Sequence, residues 1–445
     1  MICIIIILTL LRQYRIDPMS ELKKVLIVTY YWPPAGGPAI QRTLKFVKYM
    51  RFFGWEPVIL TVENGEYPAI DPSLIQEIPD NIQVYKTKAF QPFQLYRMLT
   101  GKKGNTHNNA NVFGQKDTTF VERLAKWIRL NLFIPDARIG WYAYAVKAAK
   151  KIIEQEHIDL IYSSSPPHSL QLIAQKIAKQ NKIKWVADFR DPWSELVHYQ
   201  SYKRTWLTRK IDSHFEKSVF RSADRLVAAA NDYATCIKTH VDRKIEVIYN
   251  GYDPSDFPKP KSRNTEDFLI TYTGELSEDR IPHALLRALS RLEHSNIKLQ
   301  FIGNTCPELK QEIQRLNLGN KVMLKPYMPH IASIAELQQS DLLLLVINQV
   351  ANGKGIVPGK IFEYLGTRKP ILCLGDPTGE AGEIIKTTNS GFCIAHHNEE
   401  EIFILLSRLS SGVLPGLSFQ TEQFERKNET GQLCDIFNTL VNKPS

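Results

Sequence analysis

Lys24 to Val62 reads KVLIVTYYWPPAGGPAIQRTLKFVKYMRFFGWEPVILTV, and this stretch decides the fold. Val25 to Thr29 is a short apolar run rich in β-branched residues, the mark of a buried strand. Ile40, Leu44, Val47 and Met50 then recur at helical spacing, and Gly54 can end that helix. Pro57 to Val62 is a second apolar run. Strands that are apolar throughout are covered on both faces, and two of them joined by a helix make a parallel β-α-β unit.

The same alternation continues outward. Leu160 to Tyr162, Trp185 to Ala187, Leu226 to Ala229 and Val247 to Ile248 read as further strands, with helical stretches such as Ser169 to Lys179 between them. Residues 253–264 (DPSDFPKPKSRN) are rich in proline and charge, as a linker is. After them strands are expected at Leu269 to Thr273, Leu299 to Ile302, Leu342 to Ile347 and Pro370 to Leu374, and helices at Ala284 to Leu292 and Ile361 to Leu365. The expectation is therefore α/β, with two doubly wound, Rossmann-like domains. Their bounds are residues 19–251 and 265–445, the latter ending in C-terminal helices, joined by a linker at 252–264.

The chain has 445 residues, beyond one ordinary domain, and 43% hydrophobic against 23% charged residues, a globular composition. A net charge of +10 favours an anionic partner: a nucleoside diphosphate, an anionic membrane or nucleic acid. The charge is spread along the chain without a nucleic-acid-binding motif, so no nucleic-acid partner is expected. The six cysteines show no CxxC spacing, which argues for a reducing, cytoplasmic setting without a zinc site. Neither GxGxxG nor a Walker A loop occurs, against a nicotinamide dehydrogenase or a P-loop phosphotransferase. Residues 1–18 open with MICIIIILTLL, shorter than the roughly 20 residues a membrane span needs. They read as an N-terminal extension from an upstream start, with a membrane-touching tail as the alternative. The Asn-rich residues 101–116 read as a loop. Val121, Leu124, Trp127, Ile128 and Leu132 share one helical face, with Arg123, Lys126 and Arg129 around it. The favoured reading turns that face to the core; the alternative lays it on an anionic membrane.

Four motifs carry chemistry. The loop after the first strand, Tyr31 to Pro38, holds Gly36 and Gly37, where backbone N–H groups can approach phosphate or a sugar hydroxyl; the alternative is a tight turn. Asp188-Phe189-Arg190-Asp191-Pro192-Trp193 follows a strand directly. Asp188 or Asp191 can orient a hydroxyl or act as base and Arg190 can hold phosphate, or the three make only a local ion pair. Asn250-Gly251 reads as a turn or hinge. Pro358 to Leu372 (PGKIFEYLGTRKPIL) places Gly359 before a short helix bearing Lys360 and Glu363, which suits a diphosphate and a ribose diol; an ordinary surface Lys–Glu pair is the alternative.

Together these elements resemble the retaining glycosyltransferases of the GT-B fold, family 4-like, of the kind that build surface polysaccharide or lipopolysaccharide. Gly36 and Gly37 match the family's glycine loop, and Asn250, Gly251, Tyr252 and Asp253 its linker motif. Arg190-Asp191 resembles its His-Asp pair, and Glu363, Lys369 and Pro370 its ribose-binding helix. The family's Glu-x7-Glu has its second member at Glu363 and Gly355 at the first. Gly274 is followed by Glu275 where the family tends to have Arg, and Arg280 stands where it has Lys. The resemblance implies two domains facing a cleft, a nucleotide-sugar donor on the second domain and a glycan or lipid-linked acceptor on the first. It implies donor contacts from Gly274, Arg280, Gly359, Lys360 and Glu363. It further implies retention without a protein nucleophile. No convincing DxD motif is present, so neither metal nor cofactor is expected. The expected setting is cytoplasmic; with a lipid-linked acceptor, peripheral contact at the inner membrane face is expected around Trp127 and Arg129. Two alternatives share the fold: a nucleotide-sugar 2-epimerase and a non-catalytic sugar-nucleotide-binding protein.

Overall fold

A computed structural model describes residues 22–63, 65–67, 69–90, 120–193, 204–259, 266–292, 296–350, 353–412 and 416–441. The N-terminal extension 1–18, the Asn-rich stretch 101–116 and linker residues 260–264 lie outside the described residues. The chain divides into two compact units, one reaching Tyr249 and resuming at Glu429, the other spanning Asn250–Asn428.

The first unit is built on a seven-stranded parallel sheet of order β3-β2-β1-β4-β5-β6-β7. Its strands are β1 (Lys23–Val28), β2 (Trp55–Val62), β3 (Gln83–Thr87), β4 (Leu160–Ser165), β5 (Lys184–Phe189), β6 (Arg225–Ala228) and β7 (Ile245–Val247). Helices α1 (Pro38–Met50), α2 (Phe120–Leu132), α3 (Tyr142–Glu156), α4 (Ser169–Asn181), α5 (Trp206–Ser222) and α6 (Asn231–Lys238) connect them. The central strands are buried over nearly their whole length, and two apolar clusters form the unit's core. Lys23 to Val28 pairs in register with Trp55 to Leu60 on one side, and β1 pairs with β4 on the other. The strand order therefore reverses between β1 and β4, the switch point at which open α/β sheets leave a crevice at their carboxyl ends.

The second unit repeats the plan with six parallel strands in the order β10-β9-β8-β11-β12-β13. They are β8 (Phe268–Thr273), β9 (Ile297–Ile302), β10 (Val322–Lys325), β11 (Leu342–Val346), β12 (Ile371–Leu374) and β13 (Gly391–Ile394). Its helices are α7 (His283–Arg291), α8 (Pro307–Arg315), α9 (His330–Gln338), α10 (Lys360–Thr367), α11 (Glu380–Thr388) and α12 (Glu399–Ser410). Here the switch lies between β8 and β11.

Three expectations are corrected. The last helix, α13 (Arg426–Val441), does not stay with residues 265–445: from Glu429 on it belongs to the first unit. Phe437 meets Trp55 edge-on at 5.2 Å, and Trp55 donates its indole N–H to Asn438 Oδ1 at 3.2 Å. The expected linker begins in anchored structure. Tyr252 is buried, its N–H donates to the Phe424 carbonyl at 3.0 Å, and its hydroxyl meets Thr421 Oγ1 at 3.0 Å. On α2 the apolar face does not turn inward: Leu124, Trp127 and Leu132 are exposed. The side chains of Val121 and Lys126 lie outside the described residues. No helix among the described residues is long and apolar enough to cross a membrane.

Candidate functional site

Each unit places charged and glycine residues at the carboxyl ends of its switch-point strands. In the first unit the loop after β1 runs Tyr30 to Gly37. Gly36 is buried, its N–H donates to the Ala69 carbonyl at 2.9 Å, and an added Cβ would stand 3.0 Å from the Asp71 Cβ. Gly37 has φ +96°, a conformation other residues resist, and is exposed just before α1.

Asp188, at the end of β5, is fully buried. Arg42 of α1 grips it with both prongs, Nε to Oδ2 at 2.8 Å and Nη2 to Oδ1 at 2.9 Å. Tyr162 and Ser164 donate their hydroxyls to Oδ2 at 2.8 and 2.7 Å. Burial works against this charge, but the Arg42 guanidinium and the hydrogen bonds from Arg42, Ser164 and Tyr162 hold the carboxyl below its ordinary value. Arg42 also donates to the carbonyls of Ile248 and Tyr249, at 2.8 and 2.7 Å, tying α1 to the end of β7. Asp188 is thus a structural ion, with its oxygens taken, and not a group free to meet substrate. Arg42 escaped the sequence reading because a charge within an amphipathic helix reads as solvated.

The following residues stay near the surface. Arg190 donates from Nε to the Ser165 carbonyl at 3.3 Å and from Nη2 to the Pro166 carbonyl. Asp191 is exposed, yet desolvation by neighbouring protein raises its carboxyl above the ordinary value despite Arg190. Trp193 is buried. It donates to Asp212 Oδ1 at 2.8 Å and stacks on His168 at 4.8 Å between ring centres. Burial, with Arg190 adding to it, pushes the His168 pKa down to about 3, so this ring is neutral. His168 was not singled out in the sequence; nothing in SSPPHS marks it as a partner for a tryptophan 25 residues away.

In the second unit the expected donor residues gather around β8. Gly274 follows that strand with φ +104°, and Gly303 follows β9 with φ +127°; a Cβ on Gly303 would lie 2.5 Å from the Gly274 carbonyl oxygen. These two glycines let adjacent strand ends touch. Lys360, the first residue of α10, reaches back: its Nζ donates to the Thr273 carbonyl at 2.7 Å and sits 4.0 Å from the Tyr272 ring centre. A Cβ on Gly274 would be 3.2 Å from that Nζ. Burial and then the charge of Arg280 lower the Lys360 pKa to about 7, with Glu363 opposing. Arg280 lies in a short turn held by its Nε on Ser277 Oγ at 3.1 Å. Asp279, beside it, accepts from Asn348 Nδ2 at 2.7 Å, which ties the loop after β8 to the loop after β11. Gly359 caps α10 and is exposed, and Glu363 stands one turn along the same helix. The Glu363 Oε1 meets His330 Nε2 of α9 at 3.0 Å, a partner the sequence did not announce. Gly355 lies in a short turn whose Lys354 pairs with Asp376 at 3.2 Å, and Glu275 is exposed.

Residues 111–256 match the model of Glycosyltransferase Family 4, and residues 254–411 match that of Glycosyl transferases group 1. This chain is a glycosyltransferase of the GT-B fold. Solved structures agree on the fold. A glycosyltransferase from Rickettsia africae superposes with TM-score 0.58 at 15% identity, covering 96% of this chain and all of its own. Anabaena Alr3699/HepE, solved in complex with UDP, gives TM-score 0.58 at 14% identity over 94% of this chain and 100% of its own. The lipopolysaccharide outer core galactosyltransferase WaaB, in its apo form, gives 0.56 at 13% over 94% and 100%. No curated protein sequence matches this glycosyltransferase.

Proposed function

We propose that this glycosyltransferase takes a sugar from a nucleoside diphosphate sugar held by its second unit. It passes the sugar, with retention at the anomeric carbon and without a metal, to a glycan or lipid-linked acceptor in surface polysaccharide synthesis. The observation that carries the donor half is the cluster at the carboxyl end of β8. Two touching glycines expose backbone there, Lys360 and Arg280 bring positive charge, and Glu363 stands one helical turn from Lys360. A diphosphate leaving group gains negative charge as the glycosidic bond breaks, and fixed cations stabilise that charge. Arg280, Lys360 and the Gly359 end of α10 fill this role, which is why no metal is invoked. Glu363 accepts hydrogen bonds from a ribose diol. The complex of HepE with UDP supports uridine as the first base to try.

For the acceptor half, Gly36, Gly37, Arg190 and Asp191 are the residues proposed. Asp191, with its carboxyl raised, suits a group that takes a hydroxyl proton late in the reaction. Asp188 is withdrawn from that list. A surface polysaccharide acceptor fits the likeness to an outer core galactosyltransferase and a basic chain working beside anionic glycolipids.

The test is a thermal-shift screen of UDP, GDP, ADP and CMP and their sugars, with Glu363→Ala as control, followed by turnover with lipid-linked acceptors in EDTA and NMR assignment of the product anomer. A shift confined to one nucleoside diphosphate and lost in the variant is expected. Silence toward every nucleotide would sink the donor reading; an inverted product, or activity abolished by EDTA and restored by a divalent cation, would sink the mechanism.

A further inference from the structure

Two of the chain's six cysteines stand side by side. Strands β12 and β13 run parallel, and their register sets Cys373 opposite Cys393. Leu372, Leu374 and Ile394 belong to the apolar core of the second unit, so the alternation along each strand puts both cysteines on the other face of the sheet. Neighbouring strands run about 4.8 Å apart, inside the range of about 4.4–6.8 Å between Cα atoms that a disulfide spans. Both residues are free thiols. Cys236, Cys306 and Cys434 lie on or beside three other elements, α6, α8 and α13.

The two thiols are not equivalent. Cys373 is fully buried, whereas Cys393 lies on the edge strand and is partly exposed. The Cys373 thiol donates to Cys393 and lowers its pKa, with burial and the carboxylates of Asp376 and Glu401 opposing. An oxidant therefore meets Cys393 first, and Cys373 is the thiol at hand to resolve the product.

The pair lies just below a loop of the donor end. A Cβ added to Gly375 would stand 3.6 Å from the Cys373 sulfur. The loop that starts there, Gly375 to Gly379, holds the turn Gly353–Gly355 that leads to Gly359 and Lys360. Lys354 Nζ pairs with Asp376 Oδ2 at 3.2 Å and donates to Thr378 Oγ1 at 3.3 Å. Gly379 packs against the same turn: a Cβ there would stand 3.0 Å from the Lys354 carbonyl oxygen.

We propose that Cys393 and Cys373 are a reversible disulfide site, oxidised by a peroxide, that loosens the donor end of the second unit. The Cys393 thiolate attacks one peroxide oxygen; the O–O bond breaks, and the departing hydroxide takes a proton to become water. Cys373 then attacks the sulfenic sulfur of Cys393; the S–O bond breaks, and the hydroxyl leaves with the Cys373 proton as a second water. Two thiols lose two electrons and one peroxide gains them. A disulfide brings the Cβ atoms to about 3.8 Å, which draws the ends of β12 and β13 together and shifts the loop that β12 carries. In a reducing setting such a bond is transient, as regulatory disulfides are.

Its effect on donor binding, and only that, rests on the proposed function. The full chain is reduced, freed of reductant, treated with hydrogen peroxide, alkylated and mapped by mass spectrometry. A peptide pair joined through Cys373 and Cys393, lost on adding dithiothreitol, is the expected result. In Cys373→Ala the reaction should stop at the sulfenic acid, which dimedone captures on Cys393; Cys393→Ser should give neither product. The contacts that hold the turn are surface ones, so oxidation should weaken UDP binding by about two- to fivefold in the wild type, reversibly, and leave Cys393→Ser unchanged. Thermal unfolding of each reduced variant checks that it folds. Free alkylation of both cysteines after peroxide, a bond to another cysteine, or a disulfide that leaves UDP affinity as it was would each overturn the proposal. A reduced wild type that ignores UDP would instead strike the donor reading, and the peptide map would still decide the disulfide.

Discussion

The two units share one architecture and treat charge at their strand ends in opposite ways. In the first, the carboxylate that ends β5 is closed off: Asp188 is buried, gripped by Arg42 and capped by two hydroxyls. In the second, Lys360 and Glu363 are each held by lighter contacts, one a carbonyl and an aromatic face, the other a single imidazole. A charged motif after a strand therefore does not announce a binding site. What separates the two cases is satisfaction: a group whose hydrogen-bonding capacity is filled by its own chain builds the fold, and one left partly open is available to a ligand.

The largest break of this comparison is at Asp188. Asp188→Ala leaves the Arg42 guanidinium buried without its counter-ion, which costs about 3–5 kcal/mol. Urea unfolding should show the first unit losing stability by that amount while UDP binding by the folded protein persists. The pH dependence has a definite sign. The folded carboxyl lies below its unfolded value of about 4, so the pair's contribution is present above that pH and is lost as pH falls through the folded value. The variant should show a flatter acid limb. Loss of turnover with unchanged stability and intact UDP binding would mean that Asp188 acts chemically after all.

How much of this was legible follows from burial. The central strands declare themselves because both faces are covered and the sequence stays apolar, as in Leu342–Val346. The strands that escaped are β3, β10 and β13, each at a sheet edge and short: QVYKT, VMLK and GFCI carry polar or small residues because one side meets solvent. Helix α13 was placed with the wrong unit since nothing local tells Leu433 or Phe437 that its partner is Trp55, nearly four hundred residues earlier. Of the donor residues, Gly359, Lys360 and Glu363 were visible as a glycine-rich approach to a helix, and Gly274 and Arg280 only through the family resemblance. Their supports, Gly303, Asn348 and His330, act across the sheet and leave no sequence pattern. The outward face of α2 was missed for the converse reason: periodicity says that a helix has an apolar side, but not which way the fold turns it.

The second break is at Lys360, and here two pH effects run in opposite directions. With its pKa lowered to about 7, the folded protein binds fewer protons than the unfolded chain between about 7 and the usual lysine value near 10. Stability without ligand therefore rises with pH across that window through this group. Donor affinity should fall over the same rise from below 7 upward, because a diphosphate prefers the protonated amine. Calorimetric titration with UDP at several pH values measures one, thermal unfolding the other. Lys360→Met should flatten both and weaken UDP binding by about tenfold, as loss of one charge-assisted contact does; Lys360→Arg should keep the affinity and lose the pH dependence. A Met variant that binds as well as wild type would remove Lys360 from the donor site.

The smallest effect expected is at His330, and it sharpens the comparison most finely. His330 and Glu363 are 50% and 37% exposed as side chains, so their contact is a surface pair worth at most about 1 kcal/mol. Its use lies in geometry: an imidazole on Oε1 at 3.0 Å fixes the carboxylate's rotamer and leaves the other oxygen to accept from a ribose hydroxyl. His330→Ala should therefore cost only a few-fold in UDP affinity, but it should narrow the preference for UDP over 2′-deoxy-UDP, which a general loosening of α9 would leave alone. His330→Gln, which can still donate to Glu363, should restore that preference. If the alanine variant keeps the full ribose preference, Glu363 is held by its helix alone, and the second unit's site is as self-sufficient as the first unit's buried ion pair.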